Sequence, residues 1–143
     1  MSETLEQEVN KPSHYNNNKC GIETIEVTRY LGCDLGNAWK YLSRYLMKHA
    51  PKKDLLKTIW YLEDFENHFL EFDNFKKDFK PFVPNEVLGK MDKFIEAEEV
   101  VEVQRMFKHI KSIINNDGII DRELYNYDKK MLELYAEQLP ESI

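Results

Sequence analysis

At 143 residues the chain is one domain's worth, or one domain with an appended helical piece. Its formal net charge of -6 argues against a general DNA or RNA coat, which needs surplus Lys and Arg to displace counterions, but leaves room for a local basic pocket. Hydrophobic residues make up 42%, enough for a real core, and five Gly with five Pro favour long helices over many short strands and turns. Cys20 and Cys33 form no Cys-x-x-Cys pair, so neither a zinc knuckle nor a disulfide framework is expected. The opening stretch MSETLEQEVNKPSHY is polar and acidic, and no apolar run is long enough to span a bilayer. The expectation is a soluble cytoplasmic protein with no membrane part.

Residues 1–20 read as an N-terminal arm, because Pro12 and the run Asn16-Asn17-Asn18 do not sustain a helix. Residues 21–72 read as a helical core. GIETIEVTRYL carries Ile22, Ile25 and Leu31 at roughly helical spacing. Asp34 is placed to cap a helix from about Leu35 to His49, which Ala50-Pro51 ends. A second helix begins near Asp54 and repeats Leu55, Ile59, Leu62, Phe65 and Phe69. The link between the two is short, and short links make antiparallel neighbours. Residues 73–84, with Pro81 and Pro84, read as a linker. Residues 85–143 read as further helices, one over 85–98, one through VVEVQRMFKHIKSII and one near ELYNYDKKMLELYAEQL. Their Val100, Val101, Met106, Ile110, Ile113 and Ile114 suggest a role in forming a homo-oligomer, with internal packing as the alternative. The fold class is all-α, an antiparallel helix hairpin with additional C-terminal helices.

Chemistry concentrates on GNAWKYLSRYLMKH, residues 36–49. At 100° per residue, Asn37, Lys40, Tyr41, Arg44 and Lys48 share an arc of about 100°. Leu35, Ala38, Trp39, Leu42, Tyr45 and Leu46 take the other side and predict the core face. The polar arc holds three cations and no acid. Like charges four apart cost ~0.2–0.5 kcal/mol each, a sign that an anion would reverse. A solvated face, or one satisfied by a neighbouring acidic helix, is the plainer reading. The second helix offers a facing stripe, Asp54, Lys57, Tyr61, Asp64 and His68, within about 80°. Its acids are candidates to hold magnesium through water or to form surface ion pairs.

Neither G-x-x-x-x-G-K-[ST] nor G-x-G-x-x-G occurs, so a phosphate site here must use side chains and helix ends. No Ser or Cys nucleophile can be paired with His14, so a hydrolase triad has no support. The pairs Glu63/Glu66, Glu96/Glu99 and Glu99/Glu102 have the spacing with which all-α nucleotide pyrophosphohydrolases hold a divalent metal, a third functional reading.

The order NKPSHY, GIETIEV, LGCDLGNAWKYLSRY and DLLKTIWYL resembles a small phage-encoded domain long catalogued as of unknown function. Its best-understood members are nucleotide monophosphate kinases of tailed coliphages that lack a P-loop. The resemblance covers about residues 9–65. It implies transfer of phosphate from ATP or another nucleoside triphosphate to a deoxynucleoside monophosphate, with Mg2+, in an oligomer, in the host cytoplasm. The motif positions are Pro12, His14, Tyr15, Gly21, Glu23, Gly36, Asn37, Lys40, Tyr41, Arg44, Lys48, Asp54, Lys57 and Tyr61. Residue chemistry suggests the roles. Lys40 and Arg44 would act catalytically on the phosphates with His14, and Lys48 would add to the clamp. Asn37, Tyr41, Lys57, Tyr61 and Tyr15 would bind nucleotide. Glu23 or Asp54 would position the metal. The alternative from another class is a non-catalytic nucleotide-binding protein acting as a sensor, a sponge or an inhibitor of a host factor.

Overall fold

The structure is a computed structural model that describes residues 20–47, 50–71, 74–75, 82–116 and 120–142. The expected arm, with His14 and Tyr15, and Lys48 lie outside the described residues, as does most of the expected linker. The described elements are α1 (Ile25–Thr28), α2 (Gly32–Arg44), α3 (Pro51–Phe69), β1 (Leu70–Glu71), β2 (Asn74–Phe75), α4 (Asn85–Ala97), α5 (Val101–Asn115) and α6 (Arg122–Glu137). The chain is all-α apart from the two-residue antiparallel ladder of β1 on β2, which pairs Leu70 with Phe75. No described helix is long and apolar enough to cross a membrane.

The α2–α3 hairpin forms as the pattern predicts, with two shifts of register. First, α2 starts at Gly32, three residues before the expected Leu35, and stops at Arg44. Gly32 has φ +80°, a left-handed turn that suits glycine, so the chain reverses there and winds straight into helix. Asp34 therefore lies inside the first turn rather than at the cap. Second, residues 45–47 form a turn, closed by the Met47 N–H donating to the Arg44 carbonyl at 2.8 Å. That turn carries Leu46 off the core face and leaves it 48% exposed, a correction to the predicted core side. Helix α3 then opens on Pro51, whose fixed φ and missing N–H suit a first helical position.

The two helices run antiparallel, with the end of α2 against the start of α3 and Asp34 at the start of α2 near Asp64. Arg44 meets Asp54, Tyr41 stacks on Tyr61 and Thr58 Oγ1 donates to the Ala38 carbonyl at 3.5 Å. Gly36 belongs to a different contact. A Cβ there would stand 3.2 Å from the Thr28 carbonyl oxygen, so the absent side chain lets α1 lie against α2.

Trp39 organises what lies behind the hairpin. It has no exposed surface, and its ring centroid is 5.4 Å from Phe94 of α4 and 4.4 Å from Phe107 of α5. One apolar cluster thus joins Val27, Leu31, Leu35 and Leu42 to Met91, Met106, Ile110, Ile113 and Leu132. Met106, Ile110, Ile113 and Ile114, which the sequence offered to an oligomer, pack inside this core, whereas Val101 is exposed. The rods α4 and α5 are separate helices. Between them Glu98 turns inward, accepts the Val100 N–H at 3.0 Å and takes a 3.5 Å hydrogen bond from the Tyr45 hydroxyl. Polar clamps fix α6. Asp128, buried, meets His109 Nε2 at 2.7 Å and Arg105 at 3.2 Å, while Glu66 of α3 accepts from Arg122 at 3.0 Å and Lys129 at 2.7 Å. Trp39→Ala is expected to lower unfolding stability by about 3–5 kcal/mol, through lost transfer free energy and the cavity left between α4 and α5. Urea denaturation checks this; a loss under about 1 kcal/mol would contradict the packing described.

Candidate functional site

Three cations and two tyrosines converge on the polar side of the hairpin. Lys40 Nζ is 4.6 Å from the centroid of the Tyr41 ring, Arg44 Cζ 4.5 Å and Lys57 Nζ 4.9 Å. Tyr61 stacks on Tyr41 at 5.8 Å with 11° between the planes. Lys40, Tyr41 and Arg44 come from successive turns of α2, and Lys57 and Tyr61 come from α3. Part of each stripe read from the sequence therefore meets around the Tyr41 ring, in the groove between the two helices. An aromatic face attracts each cation by ~0.5–1 kcal/mol at an exposed site, which offsets part of their mutual repulsion.

The three cations are not equivalent. Arg44 Nε lies 3.5 Å from Asp54 Oδ2, with side chains 12% and 5% exposed. That pair is buried, and Asp54 spends its charge on Arg44. Lys40 and Lys57 pair with no carboxylate among the described residues and are only half-buried. An anion entering the groove would thus meet two uncompensated ammonium groups beside a guanidinium held in place. Asn37 turns instead to its own helix, where its Nδ2 donates to Cys33 Sγ at 3.5 Å.

At the other end of the seam stands an acid pair. Asp34 of α2 is 8% exposed, and its Oδ2 is buried without a hydrogen-bond partner. Burial and then the neighbouring Asp64 push its carboxyl up from the ordinary 3.8 to about 6. Two carboxyl groups so placed satisfy each other only with a proton between them. His68 Nδ1 sits 2.9 Å from the Asp64 carbonyl oxygen and 3.4 Å from Asp64 Oδ1, and its charge opposes the rise at Asp34. The Tyr61 hydroxyl, between acids and cations, is raised by burial and then by Tyr41, with Asp34 and Asp64 adding to the shift.

The metal candidates are separated by the fold. Asp54 lies under Arg44, while Glu23 lines a surface cavity with Glu26, Arg29, Tyr30, Glu86 and Lys90. No three His, Cys, Asp or Glu side chains among the described residues are grouped to hold a metal ion. Of the acidic pairs with pyrophosphohydrolase spacing, Glu66 is taken up by Arg122 and Lys129. Sequence reasoning missed Asp34 as a buried acid, because the misplaced helix start made it a cap. It also missed Trp60, which lies on neither stripe and is 59% exposed.

Residues 9–63 match a family model described as a protein of unknown function, DUF3310. The matched segment contains Asp34, Lys40, Tyr41, Arg44, Asp54, Lys57 and Tyr61, and stops short of Asp64 and His68. No curated protein and no solved structure matches the chain.

Two outcomes are expected from this geometry. Arg44→Ala takes the guanidinium away from the buried Asp54 carboxylate, so it is expected to destabilise the fold, by up to about 3–5 kcal/mol, with Arg44→Ala/Asp54→Ala recovering part of the loss. Thermal unfolding of the single and double variants checks it, and a fully stable Arg44→Ala protein would contradict the pair. The second concerns Asp34. Below about pH 4 it is protonated in both the folded and the unfolded chain, and no penalty applies. Between about pH 4 and 6 the folded state binds more protons than the unfolded, so its contribution to stability falls as pH rises through the folded value. Asp34→Asn is expected to remove that decline. Its stability relative to the parent protein should climb from pH 4 to about 6 and then level off, in urea titrations repeated across pH.

Proposed function

We propose that the α2–α3 groove binds the phosphate of a nucleotide and that the chain is a phosphotransferase without a P-loop, acting on a deoxynucleoside monophosphate. The observation that supports it is the pairing of Lys40 with Lys57. Two helices bring these ammonium groups to one tyrosine ring, and neither pairs with a carboxylate among the described residues. A phosphate between them removes their repulsion and adds charge-assisted hydrogen bonds. The Tyr41–Tyr61 stack supplies an aromatic surface on which a base can lie.

In this reading an oxygen of the monophosphate attacks the terminal phosphorus of a nucleoside triphosphate. The bond from that phosphorus to its bridging oxygen breaks, the bridging oxygen leaves on a nucleoside diphosphate, and the acceptor becomes a deoxynucleoside diphosphate. Lys40 and Lys57 stabilise the charge on the phosphoryl oxygens, where most of the catalytic effect of such a site lies. Arg44, tied to Asp54, lies over the Tyr41 ring and adds its positive charge to the groove. His14, Tyr15 and Lys48 lie outside the described residues and keep in this reading the roles that their chemistry suggests. Magnesium enters as the counter-ion of the triphosphate; no step is assigned to a metal held by the protein, since Asp54 and Glu23 do not face one point.

A non-catalytic nucleotide binder is the second reading, and Asp54 favours it. Asp54 is engaged with Arg44, so among the described residues no carboxylate beside these cations stands ready to orient the accepting phosphate. One assay separates the two. The pure protein is incubated with ATP, magnesium and each deoxynucleoside monophosphate in turn, and diphosphate is measured. Product with at least one acceptor is expected. Binding without product supports the second reading, and absence of binding overturns both. Lys40→Met and Lys57→Met are each expected to weaken monophosphate binding about ten- to hundredfold, the cost of one charged contact, with the helical circular dichroism unchanged.

A further inference from the structure

We propose that the cavity beside Trp60 is a second nucleotide subsite, which seats the base of a nucleoside triphosphate on the Trp60 ring and its phosphates on Lys53 and Lys57. The proposal rests on the nucleotide reading of the Tyr41 groove and assigns the place of the second ligand. The cavity has a volume of about 650 Å3 and is lined by Ala50, Lys52, Lys53, Leu56, Lys57, Trp60 and Glu141. That volume lies within the usual range for small-ligand sites.

Its lining is chemically divided. Ala50, Leu56 and the Trp60 ring make an apolar side, and three lysines face one acid. Lys52 is already held by Glu137 at 3.0 Å, whereas Lys53 and Lys57 pair with no carboxylate among the described residues. Inorganic phosphate would not use the tryptophan, and an apolar ligand would not use the lysines. A flat base carrying a phosphate chain uses both, because every base has a face that stacks and the chain is drawn along cations.

Lys57 joins this cavity to the groove. It lines the cavity, and its Nζ is also 4.9 Å from the centre of the Tyr41 ring. The aromatic surface is continuous as well. Trp60 meets Tyr61 edge-on at 5.1 Å, and Tyr61 stacks on Tyr41. Two aromatic seats thus lie on either side of one shared cation. A triphosphate in the cavity and a monophosphate at Tyr41 would bring their phosphate ends together at Lys57.

Trp60 provides the readout. The chain has two tryptophans, and the other, Trp39, is fully buried, so a ligand-induced change in fluorescence reports Trp60. The full chain is titrated with ATP, inorganic triphosphate, dTMP and a thymidine pentanucleotide. ATP is expected to quench the emission. Inorganic triphosphate should compete with ATP while binding at least tenfold more weakly, for want of a base. Trp60→Leu and Lys53→Met should each weaken ATP at least tenfold by calorimetry while leaving dTMP affinity within twofold. Lys53 is exposed, so its variant keeps the test sound if Trp60→Leu fails to fold. If both variants bind ATP as the parent does while Lys40→Met loses dTMP, the cavity proposal fails and the groove reading stands. If Lys40→Met also keeps dTMP, both fail. A pentanucleotide that quenches Trp60 at lower concentration than ATP would overturn the proposal in favour of a single-strand binding surface.

Discussion

The buried pair of Arg44 and Asp54 ties the end of α2 to the first turn of α3. It sits close to the short link between the helices, where a small change of register would move every later contact. Burying two charges is costly, and such a pair is weak evidence for stability by itself. Its use here is positional. With Asp54 beside it, the guanidinium lies over the Tyr41 ring, and Tyr41 in turn meets Lys40, Lys57 and Tyr61. The same pairing takes one of the three cations out of simple anion capture, which leaves the two lysines as the groups an incoming phosphate would feel most.

The polar seam of the hairpin is electrically graded. Uncompensated lysines stand at the end near the interhelical link, and the Asp34–Asp64 pair stands at the other, with Tyr61 between. A ligand with a phosphate at one end and hydrogen-bond donors at the other would find opposite preferences along the groove. The gradient gives a direction to binding that neither stripe has alone. An acidic chain can hold a basic site when acids stand elsewhere, and Glu86, Glu96 and Glu99 are exposed outside α2 and α3.

Much of this was legible in the sequence. Apolar periodicity marked the hairpin and its core face correctly at Leu35, Ala38, Trp39, Leu42, Leu55, Ile59 and Leu62, because a helix that must bury one side advertises that side every three or four residues. The same-sign run Lys40–Arg44 was visible for the same reason. The acid that answers Arg44 was visible too, but only as one member of a stripe, since spacing along one helix does not reveal which residue of another it will meet. Asp34 and Leu46 were misplaced together. Both errors come from the ends of α2, where a left-handed glycine and a turn decide the boundary and periodicity carries no information. Trp60 was passed over because an exposed aromatic looks, in sequence, like one more apolar residue of its helix. The fate of Met106 and Ile113 was equally hidden. Apolar mass that could serve an interface serves the interior instead, and only the position of Trp39 against Phe107 shows it.

The reach of Trp39 into α4 and α5 has a consequence for where the chain can be divided. The stretch that resembles other proteins ends within α3, yet the tryptophan in its middle is covered by Phe94 and Phe107 from beyond that stretch. What is matched is therefore shorter than what must fold together in this chain. A piece cut at the end of the matched stretch would expose the Trp39 ring and the apolar side of the hairpin, so the groove and the helices behind it stand or fall as one unit.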